Sequence, residues 1–381
     1  MFDKGPVSFR RFWVVGNHPQ QIDAPVLDRL QAHALSEGWT VAAEVEYGWS
    51  GGRHLYDGQF TFERNVFAGA LSFSLRLDTH RVPAAVRKAY TLLEEEALSA
   101  SNPSGFLSKR QRLELKEKVR SRVEGELKAG QHRRSRLVPI LWHFPTRMLY
   151  TPASGTAVEK LHELFERTFE LELRPLSAGT LAQRYCETIG LSADYDRLIP
   201  SRFVPGPEGE SQWPEYPWVS RGAEPRDFLG NEFLLWIWSR AYSDRGEIPI
   251  ESGTVYAGID KFMEMECAYG ASGRDVLRGD VPIWMPEALE AFRSGKVPRK
   301  VSLSLELGGA AFELGFNGES LAVSGARLPQ IEGETDARVQ FEERIDHLQT
   351  LCRAIDGMYA KFLKHRLGPN WNPQVMTLTR T

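Results

Sequence analysis

The stretch Val301–Gly325, VSLSLELGGAAFELGFNGESLAVSG, alternates apolar and polar residues in short runs separated by turn dipeptides. Val301, Leu303, Leu305 and Leu307 fall on one side of a chain with a period of two, the mark of a strand with one buried face. Gly308-Gly309 and Asn317-Gly318 supply the positive φ angles that tight hairpins require. The segment reads as a three-stranded antiparallel meander over 301–325, half buried.

C-terminal to it, Phe341, Ile345, Leu348, Cys352, Ile355, Tyr359 and Phe362 recur at alternating spacings of four and three within a helix expected over 335–367. That is a heptad seam, which either packs on the meander or meets a second protomer. Upstream, FLGNEFLLWIW (228–238) is apolar nearly all round and reads as a buried helix. Ser201–Asp227 holds Pro205, Pro207, Pro214, Pro217 and Pro225 with no surviving periodicity, and reads as a loop or linker. The chain is therefore expected to divide into residues 1–200, a Pro/Gly-rich connection at 201–227, and residues 228–381.

In the first part, SFRRFWVV (8–15) reads as a strand and Ala24–Ser36 as a helix with Val26, Leu27, Leu30 and Leu35 to one side. Strands are expected at Trp39–Trp49, Gln59–Glu63 and Gly69–Leu77, then a helix from Pro83, a basic helix over 108–129, a hairpin from VPILWHF and RMLYTP, and a helix over Thr156–Phe169. Mixed helices and antiparallel strands without βαβ alternation give an α+β fold.

With 381 residues and 42% hydrophobic content, the chain can bury one elaborate core or two to three smaller ones. No apolar run approaches the ~18 residues of a membrane span, and the opening MFDKGPVSFRRFW lacks a secretory core, so no membrane association is expected. Cys186, Cys267 and Cys352 lie too far apart for a disulfide framework or zinc site, which favours a reduced, cytoplasmic setting.

Charge is the distinctive feature. Ser108–Arg136 carries eleven Lys or Arg against four Glu, which leaves 36 basic and 46 acidic residues in the rest of the chain. One reading is a solvated helix laced by Glu114–Lys118 and Glu124–Lys128 pairs at i,i+4. However, Lys109, Arg112, Lys116 and Arg120 form a separate row beside an apolar stripe of Leu115, Val119 and Val123. The like-charge pairs Arg112–Lys116 and Lys116–Arg120 each cost a few tenths of a kcal/mol, a repulsion that an external polyanion relieves. Arg110 lies in the same helix, and Arg133, Arg134 and Arg136 add charge just before the next strand. No helix-turn-helix or zinc-finger pattern supports sequence-specific readout.

Signs of catalysis are few. Phosphate-loop, HExxH and GxSxG motifs are absent, and the nine histidines are scattered. Asp260, Glu264 and Glu266 on one strand admit a magnesium-dependent nuclease as an alternative, but acids on a solvated strand face look the same. The expectation is a protein without catalytic activity, metal or cofactor. A third reading, an interaction protein without a nucleic-acid role, would use the proline-rich loop or the heptad seam.

The order of elements carries a resemblance. A strand, a helix and a strand ending in Gly48-Trp49 precede Asp57-Gly58-Gln59, Val82-Pro83, Leu107-Ser108-Lys109, the Trp142 strand, Leu171–Leu176, Phe228–Leu234 (FLGNEFL) and Gly295-Lys296-Val297. This series resembles the RdgC family of recombination-associated proteins, bacterial DNA-binding proteins that restrain RecA, and it spans most of the chain. The resemblance implies a homodimeric ring whose basic hole encircles double-stranded DNA at the nucleoid, with RecA as a further partner. It carries Lys109, Arg133 and Arg134 over as lumen contacts; Arg112, Lys116 and Arg120 extend that set by helical geometry. The family closes its ring with an aromatic residue in the loop that is here Gln131-His132-Arg133-Arg134, which has none. Asp280, in the opposing Leu277–Asp280 loop, is expected to meet Arg133 or Arg134 instead.

Overall fold

The computed structural model describes residues 2–35, 45–100, 106–209, 211–222, 224–271, 273–329 and 336–373. Its organising element is the opening strand Val7–Val15. Val7 and Phe9 pair with the strand Val323–Arg327, while further along the strand pairs with Met148–Thr151 and Glu172–Pro175. From this junction the sheet runs one way through Ala310–Asn317, Lys296–Leu307 and Gly253–Cys267 to Arg274–Gly279. The other way it runs through Met148–Thr151, Arg133–His143 and Ala70–His80 to Val45–Ser50. The named pairings are antiparallel and helices cover the faces, so the fold is α+β. The expected first and last regions thus share one sheet, stitched by the N-terminal strand.

The meander forms as its alternation dictates. Val301 lies opposite Phe316 and Leu307 opposite Ala310, and Val301, Leu303, Leu305, Leu307, Phe312, Leu314 and Phe316 are all buried. The heptad residues Phe341 to Phe362 of the helix Ala337–Arg366 are buried as well, which settles the seam in favour of intramolecular packing. Tyr359 meets Phe233 edge-on at 5.1 Å, and its hydroxyl donates to the Ala178 carbonyl at 2.7 Å. A second protomer has no free seam to occupy. Thr335, the expected first residue of this helix, lies outside the described residues.

The apolar helix Phe228–Ser243 is buried at every residue from Phe228 to Trp238. Its buried Asn231 and Glu232 are partnered: Asn231 donates to the Pro298 carbonyl and to Glu319, both at 2.9 Å, and Glu232 takes an ion pair from Arg366 at 2.7 Å. The buried indole N–H groups of Trp236 and Trp238, by contrast, find no acceptor among the described residues. Gly230 lies so close to Gly318 that a Cβ would stand 1.9 Å from its carbonyl oxygen.

Among its described residues Ser201–Asp227 lacks strand and helix, as a loop does, and it packs on the body: Tyr216 and Val219 are buried, and the Glu215 and Tyr216 amides both donate to the Ala268 carbonyl. Two expectations are corrected. Gln59–Glu63 is not a strand. Buried Asn65 accepts from the Thr61 amide and donates to the Gly51 and Ser72 carbonyls, which folds Phe62–Asn65 into one helical turn. The first helix spans Ala24–Ala32, because the Leu35 amide already donates to the Trp49 carbonyl. Ser36 and residues 39–44 of the expected second strand lie outside the described residues. Among the described residues, no helix is long and apolar enough to cross a membrane.

Gly230→Ala is expected to lower the unfolding free energy by about 3 kcal/mol or more, since backbone must move to admit the methyl. Gly125→Ala, where a Cβ meets nothing within 4 Å on an exposed helix, should raise it by about 0.5–1 kcal/mol. Urea unfolding of both variants measures the contrast.

Candidate nucleic-acid interface

The candidate site begins at the longest ladder in this half of the sheet. Ala70–His80 and Arg133–His143 pair without interruption from Ala70 opposite His143 to His80 opposite Arg133. Beyond that end the chain leaves the body as two helices, Ala84–Ala100 and Lys109–Lys128, the second about 30 Å long. Ala84–Ala100 has no buried residue, and the basic helix buries only Leu115, Val119 and Val123. With Val82 these form a small apolar cluster separate from the two cores of the body. The pair is a projecting arm.

Polar contacts join its helices. Tyr90 donates to Glu126 at 2.6 Å, the Arg122 guanidinium lies 3.8 Å over the Tyr90 ring, and Lys118 approaches Glu94 at 3.8 Å. Ser108 and Gln111 form a reciprocal capping box, which satisfies amides that the helix start would otherwise leave unpaired. At the root, His132 meets Glu126 at 3.0 Å.

Lys109, Arg110, Arg112, Lys116 and Arg120 are all exposed on this arm. Two of them are engaged locally: Arg110 with Glu114 at 3.1 Å and Arg120 with Glu124 at 2.8 Å. These pairs replace the ones expected from sequence, because Lys118 turns to the neighbouring helix instead. Among the described residues, no acid lies within 4.0 Å of the charged groups of Lys109, Arg112 or Lys116. Arg134 and Arg136, two apart on one strand and therefore on one face, are exposed near the arm's root.

Arg133 belongs to a different structure. It forms an ion pair with Asp78, which also holds Arg76 at 2.8 Å, and the Arg76 and Asp78 side chains are 1% and 0% exposed. Burial would push the Asp78 carboxyl up, but hydrogen bonds from Arg133, Ser135 and Arg76 outweigh it and hold the group below its ordinary range. Arg133, expected as a DNA or closure contact, is thus engaged in an internal lock, unlike its exposed neighbours Arg134 and Arg136. Sequence reading missed Arg76 and Asp78. Their one local signal is two opposite charges at i,i+2 within the apolar alternation ALSFSLRLDTH.

Asp280 is exposed and follows the strand Arg274–Gly279, so most of the expected opposing loop is strand. Its carbonyl accepts from the Lys261 amide at 3.2 Å. Glu264 and Glu266 are occupied by cations: Arg274 stands 3.4 and 3.3 Å from them, Arg299 is 2.6 Å from Glu266, and Lys300 is 3.9 Å from Glu264. Lys261, at a φ of 60°, marks a bulge between Asp260 and Glu264. Among the described residues, no group of three or more His, Cys, Asp or Glu is placed to hold a metal ion. All three cysteines are free and buried. No protein-family model matches the chain, and no curated protein matches it.

Asp78→Ala leaves two guanidinium groups in a buried site, so it should cost about 3–5 kcal/mol. Arg134→Ala, an exposed change, should stay within about 0.5 kcal/mol of the parent. The Asp78 contribution is fully present above the unfolded carboxyl pKa of about 4, and it is lost as pH falls through the depressed folded value. Urea unfolding across an acid series should therefore show a steeper loss in the parent than in Asp78→Ala.

Proposed function

We propose that the protein binds double-stranded DNA without regard to sequence, through the cationic row of its helical arm. The observation that carries this reading is the trio Lys109, Arg112 and Lys116, exposed on a projecting helix with no acid in reach among the described residues. From Lys109 to Arg120 the row is about 16 Å long, a length over which duplex DNA presents roughly ten phosphate charges. Arg134 and Arg136 extend the positive surface toward the body, and Arg110 and Arg120 can exchange their local carboxylates for phosphate. In line with the resemblance to the RdgC family, the binding form is a ring-shaped homodimer that encircles duplex in the nucleoid of the cytoplasm and modulates recombination by limiting RecA access. Asp280 facing Arg134 of a second copy would close such a ring.

The nuclease reading is weakened by the arginines on Glu264 and Glu266. An interaction role draws support from Leu92, Leu93 and Leu113, exposed at 47%, 56% and 64% on the same arm. It predicts no salt-sensitive DNA shift.

Affinity for unrelated duplexes should be similar, and log K should fall linearly with log salt. Replacing Lys109, Arg112 and Lys116 together by Ala should flatten that slope by roughly 0.9 for each phosphate no longer neutralised. A titration series in fluorescence anisotropy measures both; an unchanged slope would place the DNA-binding surface elsewhere.

A further inference from the structure

A second cationic feature lies outside the arm, on the C-terminal half of the long helix. A cleft of about 810 Å³ opens between this helix and the turn at 249–252. Arg353, Lys361 and Lys364 line it and are exposed, and helical geometry puts them on one face about 16 Å long. Among the described residues, no acid lies within 4.0 Å of their charged groups. The floor is apolar. Ile250, Ala360 and Tyr185 are half-buried there, and Gly357 brings the helix backbone so near the turn that a Cβ would stand 2.8 Å from Ile250 Cδ1.

Two acids also line the cleft. Asp356 is paired: buried Arg11 donates to it at 2.8 Å and balances its charge, although its side chain stays 37% exposed. Glu251 alone then stands against three cations. A cationic rim over an apolar floor, in a cleft of ligand-binding size, suits a partner that is both negatively charged and apolar. A phosphate backbone has nothing to cover Ile250 and Ala360.

We infer that this cleft docks an acidic peptide segment of another protein, one that interleaves Asp or Glu with apolar side chains. Carboxylates meet Arg353, Lys361 and Lys364 while one or two apolar groups cover the floor. A segment of about eleven residues spans the face if helical, and about five if extended. The inference stands apart from the DNA reading, since none of its residues lies on the arm.

The test uses the full chain and a fluorescein-labelled peptide of Glu, Asp and Phe, about twelve residues long, read by anisotropy. Its Kd should rise at least about tenfold in the variant Arg353→Glu, Lys361→Glu, Lys364→Glu, the sum of three modest ion pairs. The reversed residues are exposed, so the thermal melt and the duplex affinity of that variant should match the parent. A peptide with Ser for Phe should bind more weakly than the Phe peptide. The inference is overturned if a peptide with Lys for each acid binds equally well, if the charge reversal leaves the Kd unchanged, or if duplex DNA competes the peptide away.

Discussion

A carboxylate with no exposed surface, Asp78, is held between Arg76 on its own strand and Arg133 on the next. The rest of the arm's geometry depends on this lock. Asp78 lies opposite Ser135 and two residues from the end of an eleven-residue strand, so Arg133 reaches it only in one register. A slip of one residue would carry Arg133 to the other face of the sheet and leave a buried negative charge short of a partner. Electrostatics thus fixes the ladder, and the ladder fixes where the two helices depart.

The arm itself is weakly anchored. Three buried aliphatic side chains on the basic helix contribute roughly 1.5–3 kcal/mol each, while a helix of this length standing alone in water is marginal. Capping by Ser108 and Gln111, the Tyr90–Glu126 contact and the Arg122 stack on Tyr90 supply much of the remainder. Such a segment belongs at the low-stability end of the molecule. A helix so placed, with its neighbour buried nowhere, keeps a cationic flank exposed that a core-packed helix would have to neutralise.

Much of this was legible in the chain itself. The period of two in Val301–Leu307 and the heptad spacing from Phe341 to Phe362 are local patterns, and the side chains fall where those patterns put them. What the sequence hid was non-local. Arg133 looked like its neighbours Arg134 and Arg136 because its partner lies 55 residues away. Glu264 and Glu266 looked free because Arg299 and Arg274 reach them across the sheet. Gln59–Glu63 had strand-like composition, but a buried asparagine's hydrogen bonds outvoted it. The proline-rich segment showed no periodicity, yet Tyr216 anchors it, since irregular backbone can pack when its amides find acceptors such as Ala268.

Charge is sorted over this molecule by whether it is answered. Arg76, Arg133, Arg299 and Arg366 each face a carboxylate inside the body, whereas Lys109, Arg112 and Lys116 face solvent. On the proposed function, duplex phosphate answers that second group. Acetylation of surface lysines, quantified residue by residue with and without duplex DNA, tests it most directly. Lys109 and Lys116 should become protected on binding, while Lys361 and Lys364 on the long helix stay as reactive as before. Equal modification of Lys109 and Lys116 in the free protein and in a DNA-saturated one would contradict it.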